Sequence, residues 1–537
     1  MNRATRNDRT NAFQTPSLFF SMPDVTMFLS QHAMAVAVES GLHMSKDGFD
    51  NGKYVKLQSE KIRERISDFG GKLYLEFGGK LFDDYHASRV LPGFRPDSKI
   101  EMLVGFREDA EIVIAISALD IEGGKTRADL GITYDLEVLR LADAFREKGL
   151  FVNGVVVTQY SGQPSADAYC RKLERLGIRV YKHKRIEGYP SNVDGIFSDA
   201  GFGSNDYVET KGNLVVVTAP GPGCGKMSVC LSQLYQDGVR GIKSGYAKFE
   251  TFPLWNYPLK HLVNLAYEAA TADLDDVNMI DPFHLEAYGE TAVNYNRDVE
   301  IFPALNTIFK RIFGESPYKS PTDMGVNMAG HCIVDDDVVA QASRMEIVRR
   351  YFETLCNAKR GLVPECSVGK VELLMSQAGA SVSDRKVVDA VRGHRSYGSL
   401  SVVAIELPDG RIVTGKSSDL MSASSAVLLN AVKAMARMDD AIHLLSPSVI
   451  EPVQNLKSKY LLEVSPHLRA DETLVALSVC ATTNPYASHV LGQLPKLRGC
   501  EAHSSSMLNP SEGHIVRKLG LNLTCEPEYP TDRFYNG

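Results

Sequence analysis

Short runs of consecutive apolar residues alternate along this chain with stretches in which apolar positions recur every third or fourth residue. The first kind reads as buried strand and the second as amphipathic helix. KLYLEF at 72–77, EIVIAIS at 111–117, VNGVVVTQ at 152–159, IRVYKH at 178–183 and NLVVVTA at 213–219 are short, rich in β-branched residues and little interrupted by charge. Such runs mark parallel strands covered on both faces. Between them 59–69, 134–149 and 165–177 carry helical spacing, and the last two end at glycine, a common helix stop. Strands alternating with helices predict an α/β unit over 47–255, a doubly wound sheet in three layers.

From about 256 to 395 the strand signal disappears. LKHLVNLAYEAATADL, IFPALNTIFKRIFG, DDVVAQASRMEIVRRYFETLCNAKRG and KVELLMSQAG all read as helices, which predicts a mainly helical middle domain. Alternation returns over 396–537 with SVVAIELPDGRIVTG, two strands joined by a Pro408-Asp409-Gly410 turn. Residues 1–46 show little periodicity and read as a poorly ordered extension, with Met44 an alternative start; Pro23, Asp24, Gln31 and His32 break the apolar run within 17–39 below the length of a membrane span.

The sharpest chemical signal is NLVVVTAPGPGCGKMSVCLSQLYQDG, which runs strand, glycine-rich loop, lysine, helix. That order lets backbone N–H groups converge on an anion, with the helix N-terminus and a lysine adding positive charge. Gly221, Gly223, Gly225 and Lys226 occupy those places. A strict G-x-x-x-x-G-K-[S/T] loop would need glycine at Pro220 and a hydroxyl at Met227, so Ser228, one residue on, is the candidate to face magnesium. The alternative is a tight strand-to-helix turn in which glycine serves chain geometry alone. Asp120 and Asp199 close apolar strands and are candidates for the metal-facing acid of a phosphate site, or for ordinary cap and turn residues.

Other polar groups cluster at element ends. LEFGGKLFDDYHASRVLPGF brings Glu76, Lys80, Asp83, Asp84, His86 and Arg89 to a strand terminus, where open α/β sheets hold ligands. Lys80, Asp84, His86 and Arg89 are the candidates for the substrate side, against a merely solvated loop. Asp281, His284 and Glu286, and likewise Lys248 and Glu250, lie among aromatic residues and read as partly buried polar groups that need partners. In the last unit the two strands, a helix over about 423–437 and AIHLLSPS look like the core of cytidine-deaminase-like folds. Those enzymes need H-x-E or C-x-E at the helix start and P-C-x-x-C later. Here Ser422, Ala423, Ser424 and Ser425 stand at the first place and Pro447-Ser448-Val449-Ile450-Glu451 at the second, so the zinc site is missing.

Bulk properties narrow the classes. The net charge of -7 over 537 residues carries no basic excess, which argues against nucleic acid as a partner. The densest basic run, 171–185, fits the solvated face of a helix and an edge strand. Nine cysteines with no C-x-x-C pair fit reduced thiols in cytoplasm. No H-E-x-x-H, G-x-S-x-G or zinc-finger spacing occurs, so no metal site is assigned.

The segments EKIRERISDFGGKLYLEFGGKLFDDYHASRVLPGF, VVVTAPGPGCGKMSVCLSQLY, GYAKFETFPLWN, DVNMIDPFHLEAYGETAVNYNRDVEIFP, YKSPTDMGVNMAG and KLRGCEAHSS closely resemble a bacterial family of unknown function, domain of unknown function 1846, UPF0371 type, across residues 48–537. The resemblance implies a cytoplasmic homo-oligomer of mixed α/β, helical and C-terminal α/β architecture. Some members are labelled ATP-dependent peptidase, a label the missing protease motifs oppose. The leading expectation is an enzyme that holds ATP or another phosphorylated small molecule, with magnesium, at 221–228 and performs phosphoryl transfer or NTP-dependent chemistry. A non-catalytic ligand-binding oligomer and a metal-dependent hydrolase around Asp281, His284 and Glu286 are the alternatives.

Overall fold

A computed structural model describes residues 47–127, 131–395 and 400–531; the extension expected at 1–46 lies outside the described residues. Seven strands form one sheet: β1 Leu73–Phe77, β2 Ala110–Ser117, β3 Phe151–Tyr160, β4 Val180–Lys184, β5 Leu214–Thr218, β6 Gly245–Phe249 and β7 Gly325–Val326. Their order is β7-β6-β1-β5-β2-β3-β4, and every pairing is parallel. All five apolar runs of the sequence are strands here, and β1, β2 and β5 are buried along their whole length.

Successive residues of a strand face opposite sides, and the core divides accordingly. Leu73, Leu75, Ile112, Ile114, Leu214 and Val216 pack on one face with Tyr54 and Ile62 of helix Asn51–Asp68 and Leu141 and Phe145 of helix Tyr134–Glu147. Tyr74, Val113, Ala115, Val215 and Val217 pack on the other with helices Lys226–Val239 and Asn296–Phe313, through Val229, Leu234, Phe302 and Phe309. The result is a parallel sheet between two helical layers.

The chain order makes a crevice. From β1 it steps over one slot to β2 and runs outward to β4, then returns to fill that slot with β5 before extending past β1 to β6 and β7. Loops leaving β5 and its neighbours therefore diverge at their C-terminal ends, the usual ligand position in open α/β sheets.

The stretch read as mainly helical, 256–395, does contain helices Leu262–Ala270, Asn296–Phe313, Asp336–Lys359, Cys366–Ala378 and Lys386–Arg395. It also supplies β7 to the main sheet and an antiparallel pair, Asn278–Ile280 with Val293–Tyr295. Strands of two or three residues are too short to show a period of two, which is why the pattern hid them.

Four further strands, β8 Val402–Glu406, β9 Ile412–Lys416, β10 Glu501–Ser504 and β11 Asn522–Cys525, form a second sheet in the order β9-β8-β10-β11. The β8 strand is antiparallel to both neighbours, whereas β10 and β11 run parallel. Helix Ala423–Met435 packs on this sheet around a separate apolar core that includes Val403, Ile405, Val427 and Ala502. Pro447 corrects one sequence assignment: it opens helix Pro447–Asn455, which leads into more helices, and the helix that follows β10 begins instead at Pro510.

Candidate functional site

At the C-terminal end of β5 the chain turns through Ala219–Cys224 into helix Lys226–Val239, and two glycines are required there. Gly225 caps the helix in the left-handed region at φ 82°, which costs a side chain about 1–2 kcal/mol. Its α-carbon also lies so close to Thr158 that an added Cβ would sit 3.0 Å from the hydroxyl. At Gly221 a Cβ would fall 2.1 Å from the Tyr134 hydroxyl. Thr158 fixes the turn from β3, donating to the Cys224 carbonyl at 2.8 Å.

The turn's hydrogen-bonding capacity is partly spent and partly free. The Cys224 sulfur is buried within the turn. Burial raises that thiol, so it stays protonated and donates to Asp120 at 3.6 Å. Asp120 also pairs with Lys125 at 3.3 Å, and Lys125 lies 5.0 Å over the Tyr134 ring. By contrast, the amides of Gly223, Cys224, Gly225, Lys226, Met227 and Ser228 donate to no described residue. Lys226 is half-buried and forms no ion pair among the described residues.

Ser228 lies near the Tyr189 phenol, which burial pushes above its ordinary value. Tyr189 and Cys230 both feel the charge of Glu76 at the end of β1, and Cys230 also feels Lys226. This places the turn beside a second polar group on the same sheet edge. There Lys248 is 2.7 Å from Glu250, hydrogen-bonded to Asp298, and 5.2 Å over the Tyr295 ring. Glu76 accepts from Tyr246 at 2.7 Å. One ammonium thus serves two carboxylates, Glu250 and Asp298, in a buried site with Glu76 nearby. Burial pushes the Glu250 carboxyl up to about 7. Burial would lower Lys248, but Asp298 and Glu250 hold it above its ordinary value. Glu250 is therefore the acid of this group that holds or releases a proton near neutral pH.

Three of the four residues expected on the substrate side have partners within the chain. Lys80 is exposed in the loop after β1. Asp84 caps helix Tyr85–Val90 through Ala87 N–H at 3.1 Å and pairs with the buried Lys99 at 2.6 Å; burial opposes its ionisation, yet Lys99 holds it below the ordinary range. His86 and Arg89 both turn to Glu346 on helix Asp336–Lys359, at 3.0 Å for His86 and at 2.7 and 2.9 Å for the two guanidinium contacts. Arg349 and Arg350 add contacts of 2.8 and 3.1 Å. Burial would raise the Glu346 carboxyl, but Arg89 and Arg350 hold it well below the carboxylate range. Arg349 continues to Glu501 of β10 at 2.7 Å, which also binds Arg385. These side chains tie the helix layer to the second sheet.

The alternative centre is likewise occupied. Asp281 is fully buried and accepts from Phe283 N–H, His284 N–H, Thr322 N–H and the Thr322 hydroxyl at 3.0, 3.1, 3.2 and 2.7 Å. His284 bonds Ser320 at 3.0 Å, and Glu286 is exposed. Among the described residues no cluster of three His, Cys, Asp or Glu is arranged to hold a metal. Asp199 is exposed in a turn, whereas Asp120 reaches Cys224 of the turn after β5. Lys125, Tyr134, Thr158, Tyr189 and Asp298 gave no sequence signal, because each joins the site from another element.

Comparison with known proteins agrees across nearly the whole chain. The model for the N-terminal part of a domain of unknown function, DUF1846, matches residues 47–379, and that for its C-terminal part matches 383–535. UPF0371 proteins of Streptococcus thermophilus and Streptococcus pneumoniae are 54% and 53% identical over 492 residues, covering 92% of this chain and 100% of theirs. Among the described residues no helix is long and apolar enough to cross a membrane.

Proposed function

The chain belongs to the DUF1846 family, and from that premise we propose that it is an enzyme acting on a phosphorylated small molecule held at 221–228. The observation that carries the reading is the set of unspent amides from Gly223 to Ser228 beside a half-buried Lys226 with no carboxylate partner among the described residues. Converging N–H groups, a helix N-terminus and an ammonium form an environment attractive to an anion. Glu250 and Lys248, on the same edge, supply a proton donor and acceptor beside it.

The residue chemistry favours a phosphometabolite or a nucleotide phosphate bound by amides and lysine over a magnesium site of the strict loop type. Met227 has no hydroxyl at the place where the strict loop carries one. Phosphoryl transfer is the natural chemistry of such a site, since it proceeds mainly by positioning and charge stabilisation. We read the C-terminal unit as similar to a cytidine-deaminase-like fold, supported by the order β9-β8-β10-β11 with β8 antiparallel. Ser422 and Ser424 stand where a zinc enzyme would carry ligand and acid, so that unit is a scaffold in this reading.

Thermal unfolding with inorganic phosphate, ATP, ADP and sugar phosphates, with and without magnesium, tests the assignment. A ligand at 100 times its dissociation constant adds about 2.7 kcal/mol to the native state. Wild type is stabilised and Lys226→Ala loses most of that gain. A ligand that stabilises both equally places the site elsewhere, and binding without turnover of any bound phosphate supports the non-catalytic oligomer instead.

A further inference from the structure

Helix Asn296–Phe313 packs on one face of the main sheet and meets a different environment at each end. Its first turn carries Asp298, which bonds Lys248. Its last turn lies at the opposite edge of the sheet, where Phe313 packs on Phe69 and Phe309 on Tyr318. There the Tyr318 hydroxyl donates to the Tyr246 carbonyl at the start of β6. At 1.5 Å per residue the 18 residues of this helix hold its two ends about 27 Å apart.

A cavity of about 570 Å³ opens at that far end, between the last turns of this helix, helix Pro282–Tyr288 and the loop at 314–319. Such a volume is usual for a small-molecule site. Its walls are fixed by contacts behind them: Asp281 holds Thr322 at 2.7 Å, His284 bonds Ser320, and the Phe283 ring lies 5.0 Å from that of Phe302. The charged part of the lining is uncommitted. Lys310, Lys319, Glu286 and Glu315 are exposed to the cavity, and none forms an ion pair among the described residues; Lys319 lies 5.3 Å over the Tyr288 ring. Arg311, which does not line the cavity, is by contrast paired with Asp194. Asn306, half-buried in the same wall, has no hydrogen-bond partner for its Oδ1 among the described residues. Buried polar atoms nearly always have one.

We propose that this cavity binds a small zwitterion of the α-amino-acid class, at a site separate from the turn at 221–228. Two ammonium groups suit its carboxylate. Glu286, Glu315, the Asn306 oxygen and the partial negative charge of the helix C-terminus suit its ammonium. A phosphate or other simple anion would meet Glu286 and Glu315, and a polyamine would meet Lys310 and Lys319, so half of the lining opposes a ligand of one sign. A zwitterion satisfies both halves, and Phe283 and Ala287 offer apolar surface to its side chain.

Isothermal titration of the full chain with each of the common amino acids tests the proposal. At least one is expected to bind with a dissociation constant below about 1 mM. Its N-acetyl and its amide derivative, each lacking one of the two charges, should bind about tenfold more weakly or worse. Lys310→Ala and Glu286→Gln should weaken binding to a similar degree with far-ultraviolet circular dichroism unchanged, whereas Lys226→Ala should leave it as in wild type. Should either lining variant fail to fold, Lys319→Ala and Glu315→Gln take its place. The proposal is overturned if no amino acid binds, if binding survives the lining variants or is lost in Lys226→Ala, or if an uncharged derivative or inorganic phosphate binds as tightly in a manner that depends on Lys310.

Discussion

Replacing Glu346 by alanine removes the one carboxylate on which His86, Arg89, Arg349 and Arg350 converge. The remaining groups are not equally stranded. Arg349 keeps Glu501 at 2.7 Å and Arg350 keeps Glu353 at 2.9 Å, but Arg89 has no other carboxylate among the described residues. Breaking a buried ion pair by deleting one partner costs about 3–5 kcal/mol. Because the Arg89 side chain is 26% exposed and partly rehydrates, the lower end applies, about 3 kcal/mol. Trp255 is the only tryptophan, and its ring lies against Gly325 of β7, so its emission follows unfolding of the main sheet. In urea, with a slope of roughly 3 kcal/mol/M, the midpoint should fall by about 1 M. Glu346→Leu combined with Arg89→Met should recover part of the loss, since two apolar residues replace a pair rather than orphan a charge. A loss below about 1 kcal/mol, or no recovery in the double variant, would refute the view that this network is held together by Glu346.

Two further outcomes follow from the sheet edge. The Glu250 carboxyl is raised from 4.5 to about 7 by burial, so the native state binds its proton more tightly than the unfolded chain does. Its stabilising contribution is complete below pH 4.5 and is lost as pH rises to 7, on the order of 3 kcal/mol across that window; Glu250→Gln should flatten this limb of a urea-midpoint profile, and an unchanged profile would show that Glu250 titrates normally. Gly225→Ala forces a side chain into φ 82° and against Thr158, so it should destabilise by about 1–2 kcal/mol and abolish phosphate-dependent stabilisation in the thermal assay; retention of both would mean that the turn does not depend on its left-handed cap.

The strands that give this architecture its centre were readable because parallel strands buried on both faces carry continuous apolar runs, and 111–117 or 213–219 have no other comfortable environment. The β6 strand was not, since GYAKF places Lys248 inside an otherwise apolar run and only the three-dimensional partners Glu250 and Asp298 make that charge tolerable. The same reason explains the uneven reading of the site. Loop 219–225 declared itself through glycine and lysine, which are local signals. Asp84, His86 and Arg89 looked like ligand-binding groups because charge at a strand end is all that a sequence displays; that Glu346, some 260 residues later, absorbs two of them depends on a helix crossing that no spacing encodes.

The location of the candidate site follows from how hydrogen-bonding capacity is distributed. Buried polar groups in folded chains are satisfied almost without exception, because an unmet donor or charge costs more than a typical bond returns. Asp281 meets four donors and Glu346 meets four basic side chains, so neither has capacity left for a substrate without dismantling its surroundings. At 223–228 the balance is reversed: successive amides donate to no described residue, and half-buried Lys226 forms no ion pair among the described residues. The C-terminal edge of the sheet carries both this turn, after β5, and the Lys248, Glu250 and Asp298 group at the end of β6, with β1 and Glu76 between them. In the proposed function an anion held at the first would share this sheet edge with a carboxyl that burial raises to about 7 at the second.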